Sequence, residues 1–164
     1  MKQRCNLEFG CKVSIALGWI TNYLSAESIP YLITGGLAAR AYGSLRPVAD
    51  IDIYVPAIFF KKVTEFGKEF IQWGPDRYRD DSWDLDLIEL DYHGQSIEVC
   101  NAGDIQYFDT RTDMWVQQYT DFSEYESAEL FGNKVRVMSK QKLVAYKSAL
   151  GRDVDLSDIQ SMNK

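Results

Sequence analysis

The hydrophobic residues of the chain change their spacing several times, and each spacing predicts a different element. Apolar side chains recur at helical intervals over residues 7–23, which predicts a first helix beginning at Leu7. Residues 31–33 form a short apolar run that ends at Thr34 and two glycines, a pattern typical of a buried strand that meets a tight turn. A short second helix is expected over residues 37–42.

The next segment predicts a strand followed by a helix. From Asp50 to Val55 polar and apolar residues alternate until Pro56, which predicts a half-buried strand. Residues 58–73 combine spaced apolar side chains with lysines and glutamates, so we expect an amphipathic helix packed on a sheet. A polar loop is expected over residues 74–82.

The second half of the chain predicts mainly strands. The runs at residues 85–92 and 97–100 are joined by His93-Gly94, which predicts a β-hairpin with the histidine in its turn. Residues 135–138 predict a last strand, and residues 140–150 predict a closing helix that a glycine ends.

Together these elements indicate a mixed α/β fold of the α+β class, with a small mixed sheet flanked by helices. The 164 residues, 46% of them hydrophobic, suit one compact domain over residues 1–164, and neither a linker nor a repeat divides them. Residues 102–132 combine aromatic with acidic side chains and receive no assignment. Their aromatic residues are expected to pack, or to shape a ligand pocket: Tyr107, Phe108, Trp115, Tyr119, Phe122 and Tyr125.

Charge and cysteine content narrow the function classes. Lys and Arg number 18 against 24 Asp and Glu, a net charge of −6, so nucleic-acid binding is disfavoured and a small or metal-bridged ligand is favoured. Three cysteines, Cys5, Cys11 and Cys100, are too few for a secreted disulfide framework, which favours a reducing cytoplasm. Charged residues interrupt the apolar N-terminal stretch, and no apolar run approaches the roughly 18 residues of a transmembrane helix, so neither export nor a membrane partner is expected.

Two glycines and three acids carry the clearest chemical signal. Thirteen residues separate Gly35-Gly36 from Asp50-Ile51-Asp52, and Glu98 follows on the second strand of the predicted hairpin. Side chains two residues apart in a strand project from the same face, so Asp50 and Asp52 are expected to point together while Ile51 enters the core. If Glu98 lies on a neighbouring strand, three carboxylates converge and require cations.

Mg²⁺ suits such a group of acids. It prefers carboxylate oxygens and usually takes one or two from the protein, while phosphate and water complete its octahedron. Two ions roughly 4 Å apart activate an attacking oxygen and stabilise a leaving one. The glycines let backbone N–H groups approach a phosphate closely, and the helix that follows directs its positive end at the same anion. Asp84 and Asp86, which precede Glu98, are the alternative third ligands.

The glycine and acid motifs resemble those of the DNA polymerase beta-like nucleotidyltransferase superfamily, whose signature is Gly-Gly or Gly-Ser, roughly ten residues, and then Asp-x-Asp or Asp-x-Glu. Thr34-Gly35-Gly36 and Asp50-Ile51-Asp52 match this signature. The likeness is greatest to small bacterial members, namely minimal, lincosamide-type and abortive-infection toxin-type nucleotidyltransferases. In many of them an Arg precedes the acids, as Arg46 does here, and a C-terminal helix carries a pattern that this chain repeats at Lys147, Arg152, Asp155, Asp158 and Ile159.

This resemblance implies a palm-like nucleotidyltransferase fold and a metal-dependent enzyme that transfers NMP from an NTP, such as ATP, to a small-molecule, protein or RNA acceptor. It implies that three acids bind two Mg²⁺ or Mn²⁺ ions and carry the catalysis: Asp50, Asp52 and Glu98. It also implies nucleotide binding by four residues: Gly35, Gly36, Arg46 and Lys147.

Other interpretations stay open on the sequence alone. A catalytically inactive member would bind a nucleotide or a protein partner, as in a toxin–antitoxin or phage-defence pair, and a second subunit of a homodimer would complete an open site. Lysines 61, 62 and 68 keep an enzyme that modifies RNA ends among the candidates. In a purely structural interpretation, the acids are the solvated face of an edge strand, Arg46 forms a surface ion pair, and Lys147 is a solvated helix residue. Arg152, Asp155 and Asp158 are expected to cap and brace the C-terminus.

Overall fold

The chain folds around a mixed β-sheet with helices packed against it. The computed structural model describes residues 8–164, so that Cys5 and the predicted helix start at Leu7 lie outside the described residues. Over the described range there are five α-helices: α1 (Glu8–Ala26), α2 (Gly35–Ala41), α3 (Ala57–Gly67), α4 (Lys140–Leu150) and α5 (Asp153–Met162).

The described residues form nine strands: β1 (Leu32–Thr34), β2 (Asp50–Val55), β3 (Ile71–Arg79), β4 (Trp83–Tyr92), β5 (Gln95–Asn101), β6 (Ile105–Asp109), β7 (Met114–Gln118), β8 (Tyr125–Leu130) and β9 (Asn133–Met138). Their order across the sheet is β7-β6-β4-β5-β2-β1-β9-β8, and β3 pairs with β4 outside this path. β2 runs parallel to β5 and antiparallel to β1, while β1 runs parallel to β9. The predicted mixed sheet of an α+β fold is therefore confirmed.

The core lies between the sheet and its helices. Ile51 and Ile53 of β2 are fully buried, as are Leu17, Ile20 and Leu24 of α1. Burial of each such side chain contributes about 1.5–3 kcal/mol. The alternation predicted for β2 is thus confirmed, because its isoleucines enter the core and leave its two aspartates on the opposite face.

Several predicted elements are confirmed closely. β2 has its predicted bounds, and β4 and β5 form the predicted hairpin around His93 and Gly94, whose φ angles of 50° and 88° suit a tight turn. The closing helix ends at Gly151, which adopts the left-handed conformation with φ 63°. Ser139 begins the same helix by accepting a hydrogen bond from the Lys142 backbone.

Two predictions between α3 and β4 are wrong. The helix expected over residues 58–73 ends at Gly67, and after a 3₁₀ turn at Lys68–Phe70 the chain enters β3, where a polar loop was expected. β3 pairs with β4 through two register irregularities, between Ile71 and Trp73 and between Trp73 and Asp76. Such irregularities disrupt the alternation of polar and apolar positions, which is the signal that identifies a strand in a sequence.

Smaller differences concern α2 and the unassigned segment. The second helix begins at Gly35, two residues before the predicted start, because Gly35 takes a positive φ of 63° that turns the chain directly out of β1. Residues 102–132 contain β6, β7 and β8. Cys11 is exposed, Cys100 is buried, and both are free thiols. Among the helices of residues 8–164, none combines the length and apolar character needed to cross a membrane.

Candidate active site

A cleft of about 320 Å³ opens on the face of the sheet opposite α1, and all seven predicted catalytic and nucleotide-binding residues line it: Gly35, Gly36, Arg46, Asp50, Asp52, Glu98 and Lys147. We call its strand side the floor, formed by Asp50, Asp52 and Tyr54 of β2, Leu85, Leu87 and Glu89 of β4, and Glu98 and Cys100 of β5. We call its helix side the wall, formed by Gly35, Gly36, Arg46, Tyr146, Lys147 and Arg152.

Strand register brings the floor acids together. Asp52 and Glu98 are direct neighbours in the parallel pairing of β2 with β5, and Asp50 lies two residues back on the same face, opposite Ser96. The carboxyl groups of Asp52 and Glu98 hydrogen-bond to each other. The structure therefore joins Asp52 and Glu98 directly and leaves Asp50 at the adjacent same-face position.

Burial and mutual repulsion change the ionisation of this pair. Burial, followed by the charge of Asp52, raises the pKa of Glu98 to about 8. Burial, followed by the charge of Asp50, raises the pKa of Asp52 to about 6, although the charges of Lys147 and Arg152 act to lower it. Two carboxyl groups in such contact titrate as a pair, so near neutral pH they hold one proton between them.

The donor set of the floor fits a hard divalent cation. A cation bound by Asp52 and Glu98 would replace their shared proton, and Mg²⁺ commonly takes one or two protein carboxylates. Within residues 8–164, no three His, Cys, Asp or Glu side chains form a complete metal cage. The floor thus offers a two-carboxylate pair with Asp50 beside it.

The alternative third ligands lie on the other face of β4. Asp84 accepts a hydrogen bond of 2.6 Å from Nε of Arg77, and Asp86 lies 3.7 Å from Nη1 of the same arginine. Neither residue lines the cleft. The odd-numbered positions of β4 face the cleft instead, and they include Glu89, an acid that the sequence analysis did not single out although the alternation of the hairpin indicates it.

The glycines allow close contacts between wall and floor. A Cβ on Gly35 would collide with the carboxylate of Asp52, and a Cβ on Gly36 would lie 2.6 Å from Nη2 of Arg46. The Gly35 N–H donates a hydrogen bond of 2.9 Å to the hydroxyl of Tyr146. Close packing against side chains of the cleft therefore requires glycine at both positions.

The cations of the wall are paired with acids of α5. Arg46 and Asp158 form a salt bridge of 2.8 Å, and Arg152 contacts Asp155 at 2.7 Å. Lys147 lies 3.3 Å from Asp155 and 3.0 Å from Asp158, with 3% of its side chain exposed. The expected capping role is confirmed for Arg152 and Asp155, which form a capping box at the start of α5.

Two further expectations find no place in the cleft. Lys62 is paired with Glu27 and Lys68 with Glu65, which reduces the charge available for RNA on that surface. None of the six aromatic residues between positions 107 and 125 that were candidates for a ligand pocket lines the cleft, and Tyr119 is 84% exposed. The aromatic residues that do line it are Tyr54, Tyr78, Trp83 and Tyr146.

Comparison with known proteins gives structural rather than sequence matches. No family model and no curated protein matches the chain. A candidate nucleotidyltransferase from Thermotoga maritima superimposes with a TM-score of 0.69 at 22% identity, over 89% of each chain. The lincosamide antibiotic adenylyltransferase LnuA, in its lincomycin-bound structure, gives a TM-score of 0.60 at 18% identity, over 90% of this chain and 94% of its own.

The antibiotic-resistance factor ANT(2'')-Ia gives a TM-score of 0.59 at 15% identity, over 94% of this chain and 82% of its own. Each of these matches covers 89% or more of this chain. They agree with the resemblance noted at Thr34-Gly35-Gly36 and Asp50-Ile51-Asp52. The chain has the fold of the small bacterial nucleotidyltransferases.

Proposed function

We propose that the protein is a metal-dependent nucleotidyltransferase that moves NMP from an NTP to the hydroxyl group of a small-molecule acceptor. One observation carries the proposal. Motifs that are far apart in the sequence, the glycine pair, Arg46, the acids of β2 and Glu98, line one cleft, and two of their carboxyl groups touch. This arrangement on a nucleotidyltransferase fold supports phosphate and cation binding at the same place.

In the proposed reaction, the acceptor oxygen attacks the α-phosphorus of the NTP and pyrophosphate leaves. Glu98, which is ionised once a cation displaces the proton that it shares with Asp52, takes the proton of the acceptor hydroxyl. Gly35 and Gly36 admit the phosphates close to the backbone, and Arg46 donates hydrogen bonds to their oxygens. The chain's own residues thus bind the nucleotide, orient it and accept the proton.

We propose that Asp52 and Glu98, with Asp50 beside them, hold two Mg²⁺ ions, or Mn²⁺ in their place. When bound, the metal neutralises phosphate charge and lowers the pKa of the attacking hydroxyl. The Asp52–Glu98 pair supports this assignment because two half-buried carboxyl groups in contact stay ionised together only beside a cation.

The structural neighbours support the proposed acceptor class. One neighbour was solved with lincomycin, and another, ANT(2'')-Ia, was solved with adenylyl-2''-tobramycin, which identifies small-molecule acceptors for those proteins. The net charge of −6 also disfavours a nucleic-acid acceptor here. ATP is the first NTP to test, and the cytoplasm, where NTPs and Mg²⁺ are plentiful, is the proposed location.

The test is incubation with α-labelled NTPs and Mg²⁺, together with panels of aminoglycosides, lincosamides and low-molecular-weight cell extract. We expect label transfer by the wild type and its loss in Asp52→Asn. Asp84→Asn, on the opposite face of the sheet, is the matched control and keeps activity. If the protein binds NTP but labels neither an acceptor nor itself, it is instead a catalytically inactive binding protein. That alternative includes a member of a toxin–antitoxin pair.

A further inference from the structure

A cluster of five charged side chains lies behind the wall of the cleft. Asp155 and Asp158 of α5, 0% and 1% exposed, contact three cationic side chains: Arg46, Lys147 and Arg152. Three positive and two negative charges leave the cluster one positive charge in excess. All three cations also line the cleft, whereas neither acid does. The cluster therefore directs its positive side toward the acidic floor.

Asp158 contacts three side chains, those of Ser44, Arg46 and Lys147. Its Oδ1 accepts hydrogen bonds from Nε of Arg46 at 3.0 Å and from Oγ of Ser44 at 3.2 Å. Its Oδ2 accepts a hydrogen bond from Nη2 of Arg46 at 2.8 Å and lies 3.0 Å from Nζ of Lys147. A carboxylate that binds a guanidinium through two parallel hydrogen bonds fixes the plane of that group as well as its position.

The two cations that Asp158 holds differ in their access to the cleft. The Arg46 side chain is 33% exposed and its guanidinium lies directly over Gly36. Within residues 8–164, Nη1 of Arg46 has no hydrogen-bond acceptor, so its donors are available to a ligand. Lys147 is 3% exposed, and its ammonium group bridges the two acids of α5. Lys147 thus stabilises the acids that orient Arg46.

We infer that Asp158 is a positioning residue that, together with Lys147, orients the guanidinium of Arg46 over Gly36 for binding of the NTP phosphates. This inference rests on the proposed function. A merely structural role for Asp158 would connect α5 to the rest of the fold without any effect on nucleotide affinity. The positioning role couples α5, at the end of the chain, to the phosphate region near its beginning.

The test is a double-mutant cycle of Asp158→Asn and Arg46→Lys, with KM for the NTP, kcat and NTP affinity without transfer measured for each variant. We expect each single variant to raise KM and the dissociation constant between roughly tenfold and a hundredfold, with a smaller change in kcat. Arg46→Lys keeps the charge but loses the paired hydrogen bonds, so we expect little further increase when it is added to Asp158→Asn.

The Arg77–Asp84 pair supplies a matched control, because its arginine is also 33% exposed and lies on the opposite face of the sheet. Asp84→Asn should lower the melting temperature and leave KM unchanged. If Asp158→Asn fails to fold, Ser44→Ala removes one hydrogen bond to Asp158 and should raise KM in the same direction. Wild-type KM in the variants of Asp158 or Ser44 overturns the inference, whereas a wild type that neither binds nor transfers NTP overturns the proposed function.

Discussion

The floor and the wall of the cleft carry similar carboxylates in opposite circumstances. On the floor, Asp52 and Glu98 touch each other, and within residues 8–164 neither forms an ion pair. Behind the wall, Asp155 and Asp158 are more deeply buried, yet each contacts two cationic side chains. Cationic side chains of the protein therefore neutralise the two acids behind the wall, whereas no described side chain forms an ion pair with Asp52 or Glu98.

The pKa values follow this difference. Burial and neighbouring acids raise the pKa of Glu98, whereas hydrogen bonds from Arg46 and Lys147 lower the pKa of Asp158 despite the opposing effect of its burial. Buried charges without partners are costly and persist where a ligand supplies the missing charge. The lack of an ion-pair partner within residues 8–164, rather than the degree of burial, therefore distinguishes Asp52 and Glu98 from Asp155 and Asp158.

The largest expected effect is loss of nucleotide transfer on substitution of the floor pair. Glu98→Gln keeps the shape of the side chain but removes both the proposed metal ligand and the proposed base. We expect transfer to fall by at least about a thousandfold, because metal stabilisation and proton transfer each contribute several kcal/mol. Steady-state transfer of label from the NTP measures this change.

Glu89 provides the control for that variant, because it lies directly opposite Glu98 in the pairing of β4 with β5 and lines the same cleft. We expect Glu89→Gln to reduce transfer by less than about tenfold, the equivalent of 1.4 kcal/mol. If Glu98→Gln and Glu89→Gln lose activity equally, the assignment of Glu98 as the third metal ligand is wrong.

The next largest effect concerns the stability of the wall. Lys147→Met keeps the hydrocarbon part of the side chain and removes the charge between two buried carboxylates, so we expect the free energy of unfolding to fall by about 3–5 kcal/mol. Lys142→Met is a matched control on the same helix. Lys142 is 40% exposed and paired with Glu124, and its substitution should cost under about 1 kcal/mol.

Urea unfolding of both variants measures the difference between them. Equal losses would show that Lys147 is no more important to the fold than a solvated helix residue, which was the structural interpretation of the sequence. That result would also contradict the view that Lys147 neutralises the two buried acids behind the wall.

The floor was more predictable from the sequence than the wall, for a physical reason. Asp50 and Asp52 share one face because strand geometry repeats every two residues, and the hairpin turn at His93-Gly94 sets the face of β5 on which Glu98 lies. These are local rules. The motif resemblance added Arg46, and all seven candidate residues line the cleft.

The pairing of the wall acids depends on contacts that local rules do not specify. Asp158 meets Arg46 across a sequence separation of 112 residues, and only the packing of α5 against the loop after α2 brings them together. β3 was missed for a related reason, because its pairing with β4 and not its own pattern makes it a strand. Long-range contacts therefore determined what the sequence did not reveal.

A smaller effect is expected where wall and floor touch at Gly35. Gly35 has φ 63°, and an added Cβ would strike Asp52, whereas Gly132 has φ 78° and open space around its Cβ position. Gly132→Ala should therefore cost only the backbone penalty of about 1 kcal/mol. Gly35→Ala should cost about 1–3 kcal/mol more, because close packing is disturbed as well. Thermal unfolding of both variants measures the cost of the contact between the added Cβ and Asp52. Equal losses of stability in the two variants would show that this contact has no cost.

The last expected effect is a dependence of stability on pH that has opposite signs for the two sides of the cleft. Because folding raises the pKa of Glu98 from 4.5 to about 8, its stabilising effect is complete below about pH 4.5 and is lost as the pH rises through about 8. Folding lowers the pKa of Asp158 from 3.8, so its contribution is present above that pH and is lost in acid. From Glu98 alone, metal-free protein should lose at most about 1.4 kcal/mol per pH unit over the first window, and Glu98→Gln should flatten the slope by that amount. Urea unfolding with and without Mg²⁺ at a series of pH values measures this dependence. Either of two results would show that Asp52 and Glu98 share no proton for a cation to displace: a slope that is unchanged in Glu98→Gln, or a stabilisation by Mg²⁺ that does not grow with pH.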